Sequence, residues 1–153
     1  MKVFARIAVA ATLAFGIAAA GSAVAQMDPI KDRQALMKTQ GGAMGQLNKF
    51  AKGEEPYDAA KAAAAAATLA GTGPKIAALF PAGTQMGGGK GETWAKADIW
   101  SDGAKFSAAI KAFEEQAAKL VAVAATGKDP MAAQLAEVGK TCGGCHTPFR
   151  QPK

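Results

Sequence analysis

Between Phe106 and Ala124 the apolar residues Phe106, Ile110, Phe113, Ala117, Leu120 and Ala124 step by four, three, four, three and four. Met131, Leu135, Val138, Cys142, Cys145 and Phe149 repeat that stepping. Alternating steps of three and four place each set on one helical face and favour near-antiparallel neighbours crossing at about 20°. Earlier, Ile30, Met37, Met44 and Ala51 recur every seven residues with Leu47 between them, and Ala62 to Ala67 are six alanines in a row. Alanine is the strongest helix former and lets a neighbouring helix approach closely. Aromatic residues make up only 7% of the chain and no long β-like stretch occurs. Helices are therefore predicted over about 28–52, 56–70 and 99–126, and from 129 into the cysteine region. Asp28 with Pro29 behind it reads as an N-cap, Gly53 as a stop, and Asp129 before Pro130 as a second cap. The expected fold is all-α, an antiparallel up-and-down four-helix bundle.

Residues 1–25 read as a secretory signal peptide. Lys2 and Arg6 form a positive start, an apolar run extends from Ile7 to Ala20, and Ala23-Val24-Ala25 is a small-residue cleavage site. The run falls short of the about 20 apolar residues a membrane-spanning helix needs. Cleavage before Gln26 is expected, leaving residues 26–153 as one domain in the periplasm with no membrane attachment. The formal charge of +6 becomes +4 when Lys2 and Arg6 leave. That charge, without Lys/Arg clusters, serves solubility and does not indicate a nucleic-acid partner.

Residues 71–98 hold seven glycines together with Pro74 and Pro81, and Gly87-Gly88-Gly89 is incompatible with a helix interior. A connection this long is unusual inside a compact domain. It is read as a crossover spanning the bundle, with a binding loop as the alternative. Phosphate cradling is not supported, because no strand precedes the glycines and no Gly-Lys-Ser/Thr follows.

Two cysteines in an oxidising compartment normally pair. These stand at Cys142 and Cys145 with His146 directly behind, seven residues from the end. On a helix, positions 142, 145 and 146 share one face. The spacing is the signature of covalent haem attachment, in which each thiol adds across a vinyl group to form a thioether and the imidazole supplies an axial nitrogen. One haem c is the expected cofactor. Three other readings stand beside it. A thioredoxin-like site needs a βαβ context that is missing here. A zinc site needs four ligands, and His146 is the only histidine. A disulfide would close a two-residue gap and stabilise little. A haem would also fill a core that has few large apolar side chains. No Met follows His146, so any sixth ligand must come from earlier in the chain.

Five segments carry a resemblance. They are Arg33-Gln34-Ala35-Leu36-Met37-Lys38, then Lys52-Gly53-Glu54-Glu55-Pro56-Tyr57-Asp58, then Leu79-Phe80-Pro81-Ala82-Gly83-Thr84. Ala95-Lys96-Ala97-Asp98-Ile99-Trp100 and Val138-Gly139-Lys140-Thr141-Cys142 through Arg150 complete the set. Over nearly all of residues 26–153 the chain resembles the class II c-type cytochromes, of which cytochrome c′ is the best-known member. The resemblance implies that Cys142 and Cys145 hold the porphyrin and that His146 is the proximal ligand. It implies that Arg33 and Gln34 lie beside the haem, the arginine near the propionates, and that Arg150 lies beside the proximal imidazole. Met37 takes the position facing the distal side. There an apolar plug leaves iron five-coordinate in cytochromes c′, while a Met in a low-spin branch binds iron as a sixth ligand. Pro148 departs from the pattern: it lacks an N–H and biases Thr147 away from the α region, so a break in the last helical turn is expected, which counts against the Arg150 assignment.

Two functions follow. One is a periplasmic electron carrier cycling Fe(III)/Fe(II) with redox partner proteins. The other is a five-coordinate haem that binds nitric oxide or carbon monoxide for buffering or sensing. A thiol–disulfide enzyme is a third, weaker reading. No catalytic acid–base pair or nucleophile stands out, so the chain is not read as an enzyme. The resemblance also implies a homodimer through the first two helices.

Overall fold

The computed structural model describes residues 28–89 and 91–152. The expected signal peptide, residues 1–25, lies outside them. Helix α1 spans Pro29–Lys52, α2 Ala59–Thr72, α3 Asp98–Ser101, α4 Gly103–Val123 and α5 Lys128–Phe149. The long helices form an antiparallel four-helix bundle in which α1 packs along α2 and α5, and α4 along α5 and α2. The sole β-type pairing among the described residues is an isolated bridge between Ala95 and Arg150. None of the described helices is long and apolar enough to cross a membrane.

The local causes of α1 and α2 are plain. The Asp28 side chain accepts from the Lys31 N–H and caps α1. At the other end Gly53 is left-handed (φ 75°), and its N–H and that of Glu54 close onto Phe50 and Lys49 carbonyls. Asp58 caps α2 through the Lys61 N–H. This helix begins at Ala59, not near 56, because Asp58 holds the extended capping conformation and Pro56 belongs to the preceding turn.

Three other expectations are corrected. The connection after α2 is not irregular from residue 71: two 3₁₀ turns, Gly73–Lys75 and Ala77–Leu79, carry the chain onward. Gly73 lets this turn lie close to α4, since a Cβ would stand 2.7 Å from Glu114 Cγ and force that side chain to shift. The third predicted helix is split at Asp102, which ends α3 and caps α4 by accepting from the Lys105 N–H. Gly127, not Asp129, is the N-cap of α5, and Asp129 sits in its first turn, where a negative charge suits the helix dipole.

The bundle is unequally filled. Its fully buried large side chains are Phe50, Leu47, Leu69, Leu120, Met131 and Val138. At this closed end Tyr57 Oη donates to the Ala124 carbonyl (2.6 Å) and the ring meets Phe50 edge-on. Ala62, Ala65 and Ala66 are buried on α2, so that helix approaches closely. At the opposite end the helices enclose a cavity.

Candidate functional site

The first half of α1, the crossover, the first half of α4 and the end of α5 surround a cavity of about 770 Å³. That lies within the usual range for small-molecule and cofactor sites, roughly 300–1,000 Å³. Cys142, Cys145 and His146 line it from α5, and Met37, Arg33 and Gln34 from α1. Arg150 also lines it, so all seven residues singled out from the sequence meet in one place. The spacing of three and four along α5 turns both thiols and the imidazole to the same side. The remaining wall is mostly apolar and includes Phe80, Ile99, Phe106, Ile110 and Phe113.

The cysteines are half-buried and both thiols are free. Burial raises the pKa of each, and Cys142 adds to the rise at Cys145. The His146 pKa lies below the ordinary imidazole value of 6.5, first because burial disfavours the cation and then because Arg150 is close. The neutral ring keeps a lone pair for a metal. Among the described residues no group of three or more His, Cys, Asp or Glu side chains could hold a metal ion by itself. Two thiols and one imidazole at the wall of a large apolar cavity suit a metalloporphyrin and fall short of the four ligands of bare zinc.

Arg33 is only 4% exposed. Its Nη1 donates to the Leu79 carbonyl (3.3 Å) and Thr84 Oγ1 (2.9 Å), and its Nη2 donates to the Thr84 carbonyl and Thr93 Oγ1 (2.6 Å). The guanidinium also lies 4.8 Å from the centre of the Phe80 ring. Gln34 is exposed, and its Nε2 donates to the Glu92 carbonyl (2.9 Å). Met37 is half-buried and packs against the hydrophobic core.

Helix α5 does not break at Pro148 but continues to Phe149. The Arg150 N–H still donates to the His146 carbonyl (3.0 Å), and Phe149 is buried against Phe106. A proline late in a helix deprives only one carbonyl of its donor, and tertiary packing holds the turn. Arg150 therefore stays near His146. Sequence reasoning did not single out Thr93 and Trp94, which also line the cavity. Their partners lie across the fold and leave no local signal.

A family model described as Cytochrome C′ matches residues 28–150, which include every one of these residues. The chain belongs to the cytochrome c′ family. It is 37% identical over 135 residues to cytochrome c′ of Rhodopseudomonas palustris, covering 87% of this chain and 88% of that protein. Among solved structures, cytochrome c′ from Rhodobacter Spheriodes superposes with a TM-score of 0.76 at 36% identity, covering 82% of this chain and 96% of that one. A nitric oxide complex of a variant cytochrome c prime from Alcaligenes xylosoxidans gives a TM-score of 0.72 at 31% identity, covering 82% and 95%. The chain is a class II monohaem c-type cytochrome, a family that binds one covalent haem c.

Proposed function

We propose that Cys142 and Cys145 hold haem c through thioethers, that His146 is the proximal ligand, and that the protein binds nitric oxide or carbon monoxide at the distal side in the periplasm. The observation that carries this reading is the largely apolar lining supplied by Phe80, Ile99, Phe106, Ile110 and Phe113, with Met37 packed against the hydrophobic core. Such a wall disfavours water and charged ligands and accepts small neutral molecules. The nitric oxide complexes of variants of the similar Alcaligenes protein support it. When bound, a haem would supply an iron able to cycle between ferric and ferrous states and to bind a small neutral ligand.

The chain's own residues set what that iron meets. Burial and Arg150 keep the His146 imidazole neutral. Arg33 brings a buried positive charge to the wall and, among the described residues, forms no ion pair with a carboxylate. Its Nε–H remains for an anionic group such as a propionate, a charge-assisted contact. Gln34 lies beside it, and Arg150 disfavours added positive charge next to the proximal ring.

A second reading, electron carriage with redox partner proteins, is favoured by one specific feature. The Met37 side chain lines the same cavity, and a thioether is a competent sixth ligand that raises the potential. Visible spectra of purified protein separate the two readings. High-spin ferric bands and carbon monoxide binding on reduction are expected. A low-spin spectrum with the charge-transfer band of iron–thioether bonding, and no carbon monoxide adduct, would establish the carrier instead. A homodimer through α1 and α2 belongs to the same proposal, and sedimentation showing only monomer at micromolar concentration would remove it.

A further inference from the structure

The helical turn that carries His146 is weakly held by its own helix. Gly143 and Gly144 precede it, and glycine in a helix interior costs roughly 0.8–1.0 kcal/mol relative to alanine. Pro148 supplies no N–H, so the Gly144 carbonyl has no helical donor four residues on. The turn is instead braced from outside by the crossover. The Lys96 N–H donates to the Phe149 carbonyl (2.9 Å) and the Gln151 N–H to the Trp94 carbonyl (2.7 Å). Lys96 Nζ donates to the Thr147 carbonyl (3.3 Å), directly after His146.

The crossover is in turn fastened to α1 by Arg33, beside which Gln34 Nε2 donates to the Glu92 carbonyl (2.9 Å). Arg33 holds the Leu79 carbonyl, both oxygens of Thr84, and Thr93 Oγ1. Thr93 Oγ1 also accepts from the Ala95 N–H (3.2 Å), and the Met86 N–H donates to the Ala95 carbonyl (2.8 Å). An aromatic path runs parallel to this polar one. From Phe80 beneath Arg33 it passes edge-on to Phe106 (5.0 Å) and from there edge-on to Phe149 (5.2 Å). The polar path starts on α1, the aromatic one on Phe80 beneath its Arg33, and both end on the turn behind His146.

We propose that Arg33, Thr84 and residues 94–96 form a clasp that positions His146, so that the imidazole's bond to iron would be set from α1 across the crossover. The inference rests on His146 being the proximal ligand. Thr84 and Gln151 act here through other residues. Thr84 is buried but does not line the cavity, and Gln151 is exposed beyond the end of α5.

The test uses the holoprotein and paired variants. Gln151→Pro deletes the one N–H that grips Trp94. Arg150 already holds φ −122° and ψ 132°, the region a residue before proline prefers. Gln151→Ala keeps that N–H. Thr84→Val removes the hydroxyl that Arg33 grips, and Thr84→Ser restores it. The readout is the iron–histidine stretching band of the ferrous protein in resonance Raman. Gln151→Pro and Thr84→Val should lower and broaden the band, while Gln151→Ala and Thr84→Ser keep the wild-type band. An unchanged band in Gln151→Pro, or an equal shift in Gln151→Ala, would overturn the clasp. A wild-type ferrous protein that is five-coordinate by its visible spectrum yet shows no haem–histidine band would overturn the ligand assignment itself, and that is read before any variant is made.

Discussion

His146 stands where burial and Arg150 act in the same direction on its protonation. In haem-free protein its imidazole should titrate below 6.5. Arg150→Ala should raise that pKa only part of the way, because burial is the larger cause; proton NMR of the ring checks both statements. The sign for stability follows. A folded-state pKa below the unfolded one means the unfolded chain binds more protons as pH falls. The haem-free fold therefore loses stability from about the unfolded value down through the folded value. Met37 is tested by Met37→Ala. If the distal side is open, the ferric spectrum stays high-spin and carbon monoxide still binds; loss of a low-spin spectrum on substitution would show that the thioether had been a ligand. The cysteines and histidine were legible in the sequence because their geometry is local, three and four residues along one helix. The role of Arg33 as a crossover anchor was not, since Thr84 and Thr93 lie 51 and 60 residues away from it. A resemblance to a haem-binding position gave no hint that four of its N–H groups face a loop.

At the scale of elements, capping and periodicity marked α1 closely, and the stepping of three and four marked α4 and α5. What the pattern missed were places where polar side chains or packing overrule it. Asp102 divides the third predicted helix by capping α4, although the apolar residues beyond it read continuously. Asp58→Ala, which removes the side-chain acceptor at the start of α2, should cost about 1 kcal/mol in denaturant unfolding. Tyr57→Phe, which removes the bond to Ala124, should cost about 1 kcal/mol in the same measurement. Pro148 is the instructive failure. Judged locally it ends α5 before Phe149, yet Phe149 is buried beside Phe106 and the crossover pairs with the tail. Pro148→Ala should therefore leave the helix content measured by circular dichroism unchanged and keep Arg150 in place.

The whole molecule has a closed end and an open one. Leu47, Phe50, Leu120 and Met131 pack the first without help, while the second surrounds the cavity. The bundle was legible from amphipathic faces alone, but this asymmetry was not, because periodicity locates a buried face without saying what it is buried against. In a Cys142→Ser, Cys145→Ser double variant, hydrogen exchange should stay slow around Leu47 and Leu120. It should become fast along the first half of α1 and the end of α5, where the cavity loses its filling; equal protection at both ends would contradict the picture. The central claim, one covalently held haem gripped by Cys142, Cys145 and His146, is tested most directly by the intact mass and visible spectrum of protein exported from cells that attach haem c. A coloured chain carrying the extra mass of one haem, retained after denaturation and lost in the double variant, is predicted. A colourless chain with no added mass would contradict it.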